Sequence, residues 1–129
     1  MLNSKPVCQK RARMTRSGII YDSQKKDKLI LRHLITNQLE KCDLLKTNPL
    51  KVEMLFYNEM PPSYSEKKKQ KLEGKPDVRH YDIDNVAKFY LDVMNDLVYK
   101  DDSQVCELFC KKTYARDSKV EIRIKDLDD

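Results

Sequence analysis

A chain of 129 residues, 40% apolar and 36% charged, is long enough for one modest core. No apolar run approaches the ~20 residues of a membrane-crossing helix, which argues against a helical span. Seven Tyr and three Phe argue against global disorder, and a net charge of +5 fits a polyanionic partner without naming one.

The N-terminus is basic but is followed by no apolar leader segment, so a secretory signal is not expected. A reducing compartment follows as an expectation, the cytoplasm of a cell or phage-infected host. There Cys8, Cys42, Cys106 and Cys110 are free thiols that pack as small apolar groups. No CxxC pair suggests structural zinc.

One domain over residues 1–129 is expected. Residues 1–18 form a basic arm, with Lys5, Lys10, Arg11, Arg13 and Arg16 and no acid among them. Such an arm either grips phosphates or is simply solvated. Ser17-Gly18 predicts a turn and Ile19-Ile20-Tyr21 a short strand.

A helix is predicted over 24–41, since Ile30/Leu34, Leu31/Ile35 and Ile35/Leu39 recur at i, i+4. Lys25, Lys26, Lys28 and Arg32 oppose the dipole at its start, as a DNA-facing or solvated basic face would. Leu50, Val52, Met54 and Phe56 alternate along a strand that Pro61-Pro62 ends. A short helix over 66–73 carries Lys67, Lys68, Lys69 and Lys71 with Leu72 as its one apolar anchor. It is therefore expected to project into solvent or onto nucleic acid, and Gly74 closes it.

A helix over about 85–96 is predicted from Val86, Phe89, Tyr90, Val93 and Met94, capped by Asp84 or Asn85. Its apolar face packs on the sheet or forms an interface. Leu97-Val98-Tyr99 reads as a short strand, and Asp101-Asp102-Ser103 as a turn into a strand over 104–114. Asp117-Ser118 turns that strand into a hairpin with 119–125, and 126–129 is expected to fray. The fold class is α/β of the mixed α+β kind, a small mixed sheet flanked by helices.

The chemistry concentrates at Asp82-Ile83-Asp84-Asn85 with Lys88, and at Asp101-Asp102. In an extended segment Asp82 and Asp84 face the same way. Lys88 lies one helical turn beyond Asp84, and the 101–102 turn supplies a third carboxylate if it folds back beside them. Hard oxygens beside a lysine on a basic protein suit Mg²⁺, with Mn²⁺ as a substitute, and phosphodiester chemistry. The plainer alternative is a helix cap beside an ordinary surface ladder of Asp84, Lys88 and Asp92.

At these residues the chain resembles the RusA family of Holliday-junction resolvases. The shared features are Asp82-Ile83-Asp84-Asn85 with Lys88, Asp101-Asp102-Ser103-Gln104-Val105, and the basic arm Gln9 to Tyr21. The Ser-Tyr-Ser-Glu-Lys-Lys-Lys stretch over 63–69 is similar too. The resemblance implies a magnesium-dependent homodimer that nicks opposed strands of a four-way junction during recombination and repair. It implies Asp82, Asp84 and Asp102 as metal ligands, with Asp101 the lesser candidate, and Lys88 as catalytic lysine. Lys10, Arg11, Arg13, Arg16 and Lys67 to Lys69 would meet DNA.

Two departures stand out. His80-Tyr81 replaces the family's Lys-Pro before the first Asp, and a displaced Lys-Pro-Asp occurs at 75–77. A nuclease of broader branched-DNA specificity and an inactive DNA-binding member of the fold remain open alternatives.

Overall fold

The computed structural model describes residues 13–14, 20–21, 25–39, 44–79 and 81–127. Two short strands, β1 (Arg13–Met14) and β2 (Ile20–Tyr21), pair antiparallel. Then come α1 (Lys25–Gln38), β3 (Leu50–Glu59), α2 (Glu66–Leu72), α3 (Ile83–Met94), a 3₁₀ turn (Asp102–Gln104), β4 (Val105–Ala115) and β5 (Lys119–Asp126). Among the described residues, three α-helices and a small mixed three-stranded sheet make an α+β fold.

β3 is the central strand. Its side chains alternate strictly, with Leu50, Val52, Met54, Phe56 and Asn58 buried on the helix side. The expected hairpin between the last two strands is not formed. The order is β4-β3-β5, with β4 parallel and β5 antiparallel to β3. Residues 116–118 therefore cross the end of β3, and Ser118 Oγ accepts a hydrogen bond from Glu59 N (3.3 Å). Alternation and turn residues specify two strands and a reversal, but not whether a third strand lies between them.

α3 supplies the opposing layer. Val86, Ala87, Phe89, Tyr90, Val93 and Met94 are buried against the sheet. Phe89, Tyr90 and Val93 are so completely covered by their own chain that this face is closed to a partner. Leu97–Tyr99 is a turn with isolated bridges rather than the predicted strand.

α1 packs on α3 through Leu31 and Ile35, while Ile30 and Leu34 stay exposed. Two of its basic residues are spent on α3. Lys28 Nζ pairs with Asp92 Oδ2 at 2.6 Å. Arg32 Nη1 donates to the Val93 and Asn95 carbonyls at 3.1 and 2.7 Å, satisfying the open end of α3.

β5 runs on through Asp126, where fraying was expected. Asp126 accepts from Asn48 Nδ2 (2.8 Å) and pairs with Lys46 (3.2 Å). Cys106 is exposed and Cys110 half-buried, so the expectation of buried cysteines fails at Cys106. Cys8 and Cys42 lie outside the described residues.

Candidate active site

α3 begins at Ile83, two residues earlier than predicted, with Asp82 as its N-cap. The shift places Asp84 inside the first turn, so Asp84 and Lys88 share a helical face. The Asp82 side chain makes no capping bond, leaving its carboxylate free. All three residues are exposed. Among the described residues no side chain pairs with Asp82, Asp84 or Lys88. The proposed surface ladder is absent, because Asp92 is engaged by Lys28. Asp84 and Lys88 thus stand unpartnered one helical turn apart, with Asp82 at the N-cap just before them rather than on an extended segment shared with Asp84, and the α3 amides add partial positive charge there.

The second acidic motif lies at the other end of α3. Asp102 N donates to Oδ1 of Asn95, the C-cap of the helix, at 3.1 Å. Twelve helical residues at ~1.5 Å rise separate the two ends by roughly 18 Å. Among the described residues no group of three or more His, Cys, Asp or Glu side chains could hold a metal ion. One chain therefore brings Asp82, Asp84 and Lys88 together but not Asp101 or Asp102.

The two aspartates of the second motif differ. Asp101 is built into the turn, with its backbone N donating to Gln104 Oε1 (2.9 Å) and its Oδ2 accepting from Ser103 Oγ (2.5 Å). The Asp102 carboxylate is exposed and takes no partner among the described residues. Gln104 fastens the motif, since its Nε2 donates to the Lys46 and Asn48 carbonyls at 2.8 and 3.1 Å.

The loop before Asp82 is tied down by a polar network the sequence did not announce. Asp77 is 2% exposed, on the segment between α2 and α3 that runs beside the C-terminal part of β4. Its Oδ1 accepts from Arg79 N (2.8 Å) and Nε (3.0 Å), and its Oδ2 from Arg79 Nη2 (2.9 Å) and Asn58 Nδ2 (3.1 Å). Burial pushes the Asp77 carboxyl up, but the bonds from Arg79 and Asn58 outweigh it and hold it below the ordinary aspartate value. Tyr81 OH donates to Asn58 Oδ1 (2.6 Å), and the Arg79 guanidinium lies 4.5 Å from the Tyr114 ring. The displaced Lys-Pro-Asp at 75–77 is thus a structural anchor.

α2 does not simply project. Ser65 caps it, and Arg116 grips Glu66 (2.7 and 3.1 Å) and Glu73 (3.1 Å), fastening both ends to the turn after β4. Lys67 and Lys68 are exposed and Lys69 half-buried on this fixed helix. Lys10, Arg11 and Arg16 lie outside the described residues, and only the backbone of Arg13 is placed, in β1.

Two carboxylates are what Mg²⁺ usually takes from a protein, the rest of its shell being water and phosphate oxygens. Asp82 and Asp84 fit that donor set. A mixed α+β domain presenting a carboxylate pair and a lysine at one helix end is the class these features define. The chain belongs to the RusA endodeoxyribonuclease family: the family model, Endodeoxyribonuclease RusA, matches residues 3–125. It is also similar to Uncharacterized protein YqaN of Bacillus subtilis (strain 168), with 38% identity over 86 residues. That match covers 63% of this chain and 60% of the relative's length. No helix among the described residues is long and apolar enough to cross a membrane.

Proposed function

We propose that this chain is a Mg²⁺-dependent endonuclease that resolves four-way DNA junctions by paired nicks, acting in recombination and repair as a homodimer. The supporting observation is the family match over residues 3–125, with Asp82, Asp84 and Lys88 intact, exposed and unpartnered at one helix end. Asp82 and Asp84 hold the ion. When bound, it supplies Lewis acidity and lowers the pKa of water. Lys88, one turn along, places positive charge against the phosphodiester oxygens as the P–O bond breaks. Lys67 to Lys69 and the basic arm contact flanking phosphates, a sequence-independent grip that suits recognition of branch shape.

Asp102 joins this site from a second copy. Among the described residues β4 is an edge strand. Its C-terminal part is covered by residues 74–77: Gly74 N donates to Tyr114 O (2.9 Å), Tyr114 N to Lys75 O (3.0 Å) and Asp77 N to Lys112 O (3.1 Å). Residues 105–111 have no strand on that side among the described residues. They carry Leu108 and Phe109, 48% and 49% exposed on opposite faces of the sheet. Open apolar edges invite strand addition. Antiparallel pairing there, about a two-fold axis, sets the two α3 helices in opposite directions. The partner's Asp102 then approaches Asp82 and Asp84, and a dimer holds two sites, as matched cuts require.

Mixing inactive chains tests this reading. Asp82→Asn and Asp102→Asn homodimers are each expected to be inactive. After co-refolding, mixed dimers regain one intact site and nick one strand of the junction. Sites built within one chain would leave every mixed dimer inactive.

A further inference from the structure

Strand alternation places Leu108, Cys110, Lys112 and Tyr114 on the helix side of β4, beside Val52, Met54, Phe56 and Asn58 of β3. Phe56 is 1% exposed, and Lys112 is its cross-strand neighbour. A lysine at a core-facing position gives up hydration, which an apolar residue there would not. Such a charge is ordinarily offset by a carboxylate. Among the described residues none pairs with Lys112. Its Nζ donates instead to the Tyr81 carbonyl (2.5 Å) and, at 3.5 Å, to the Arg79 carbonyl, and it lies 5.0 Å from the Tyr81 ring centroid.

Tyr81 directly precedes Asp82. The segment is thus held from three directions. Arg79 is fixed by Asp77, the Tyr81 hydroxyl by Asn58, and the Tyr81 backbone by Lys112. Of these three, only the Lys112 bond is made to the Tyr81 carbonyl, in the peptide joined to Asp82, and it is charge-assisted. The Asp82 carbonyl in turn accepts the first helical bond from Val86 N (3.3 Å). Motion of the 81–82 peptide therefore unseats both the Asp82 carboxylate and the first turn bearing Asp84.

We infer that Lys112 is a positioning residue of the active site: its ammonium fixes the Tyr81 carbonyl and so sets where Asp82 stands relative to Asp84. The inference rests on the reading of Asp82 and Asp84 as ion ligands. Lys112 belongs to β4, 31 residues beyond Tyr81 in sequence, and offers its cation to the loop that runs beside this strand.

The test compares the full-length wild type with Lys112→Met and Lys112→Arg by two measurements that need no cleavage. Amide hydrogen exchange reads the first turn of α3 at Val86, with Phe89 to Val93 as the internal reference. Mn²⁺ binding is read from paramagnetic broadening. Loss of a charge-assisted bond predicts that Lys112→Met exchanges at Val86 at least about tenfold faster, with the reference amides unchanged, and binds Mn²⁺ about tenfold more weakly. Lys112→Arg, which keeps a charged donor, is expected to recover most of both. Wild-type Val86 protection and Mn²⁺ affinity in Lys112→Met would overturn the positioning role while leaving the nuclease reading intact. A wild-type chain that neither binds Mn²⁺ nor cuts junctions would overturn the reading of the site, and the role of Lys112 with it.

Discussion

Asp82→Asn is expected to abolish junction cleavage while leaving the folded chain and its grip on DNA essentially untouched. The carboxylate is exposed, and the side chain makes no capping bond. Asn is as good a cap as Asp, so the helix start is preserved and stability changes by no more than about 0.5 kcal/mol. What is lost is an anionic ligand. Several kcal/mol of transition-state stabilisation depend on it, which corresponds to about 10³-fold or more in single-turnover rate. Removing a negative charge from a surface that meets phosphate holds or tightens junction binding. Single-turnover cleavage and a gel-shift titration, run side by side, separate the two effects. A variant that cuts at the wild-type rate would remove Asp82 from the site.

The largest effect on stability is expected away from the chemistry, at Asp77→Ala. The substitution leaves Arg79, whose side chain is 18% exposed, without its carboxylate, and frees the Asn58 amide. Breaking a largely buried pair by removing one partner costs about 3 kcal/mol, and the remaining contact of Arg79 with Tyr114 keeps the figure from rising further. For a domain of this size that lowers Tm by about 10 °C.

The pH dependence has a definite sign. Asp77 has a folded pKa below the ordinary ~3.9, so its contribution is full above about pH 5. It is lost as pH falls through the unfolded value and on toward the depressed folded one. The stability difference between wild type and Asp77→Ala is thus expected to be constant from pH 5 to 8 and to shrink below pH 4. A difference that grew on acidification would mean the carboxyl is held protonated instead.

What could be read from the sequence divides along physical lines. α1, β3, α2, α3 and β5 are marked by side-chain period and punctuation, both local: the Leu50–Phe56 alternation, the Ser65 cap, Gly74 at φ +83°. The Asp82, Asp84 and Lys88 motif was equally legible, because it spans seven consecutive residues and Lys88 follows Asp84 by one turn, although the helix starts at Ile83 where an extended segment was expected to align Asp82 with Asp84. Strand order was not. Inserting β3 between β4 and β5 is decided by long-range pairing and changes no local pattern. The same holds for Asp102, whose distance from Asp82 is set by where α3 ends and the 3₁₀ turn begins.

The Asp77–Arg79–Asn58 network escaped for another reason. A buried acid looks the same in sequence as an exposed one, and only its partner across the sheet distinguishes them. One signal was available: Lys112 falls in phase with Leu108 and Cys110 on the core side of a strand. A charge at an apolar phase asks for a partner.

The most direct measurement is cleavage of a synthetic mobile four-way junction beside a linear duplex of matched sequence, with Mg²⁺ and with EDTA. Paired, symmetric nicks on the junction alone, present with Mg²⁺ and absent with EDTA, are the predicted result. Junction binding with no cleavage in Mg²⁺ or Mn²⁺ would contradict it and leave a DNA-binding protein on a nuclease fold. Equal cutting of junction and duplex would contradict the specificity while retaining the chemistry.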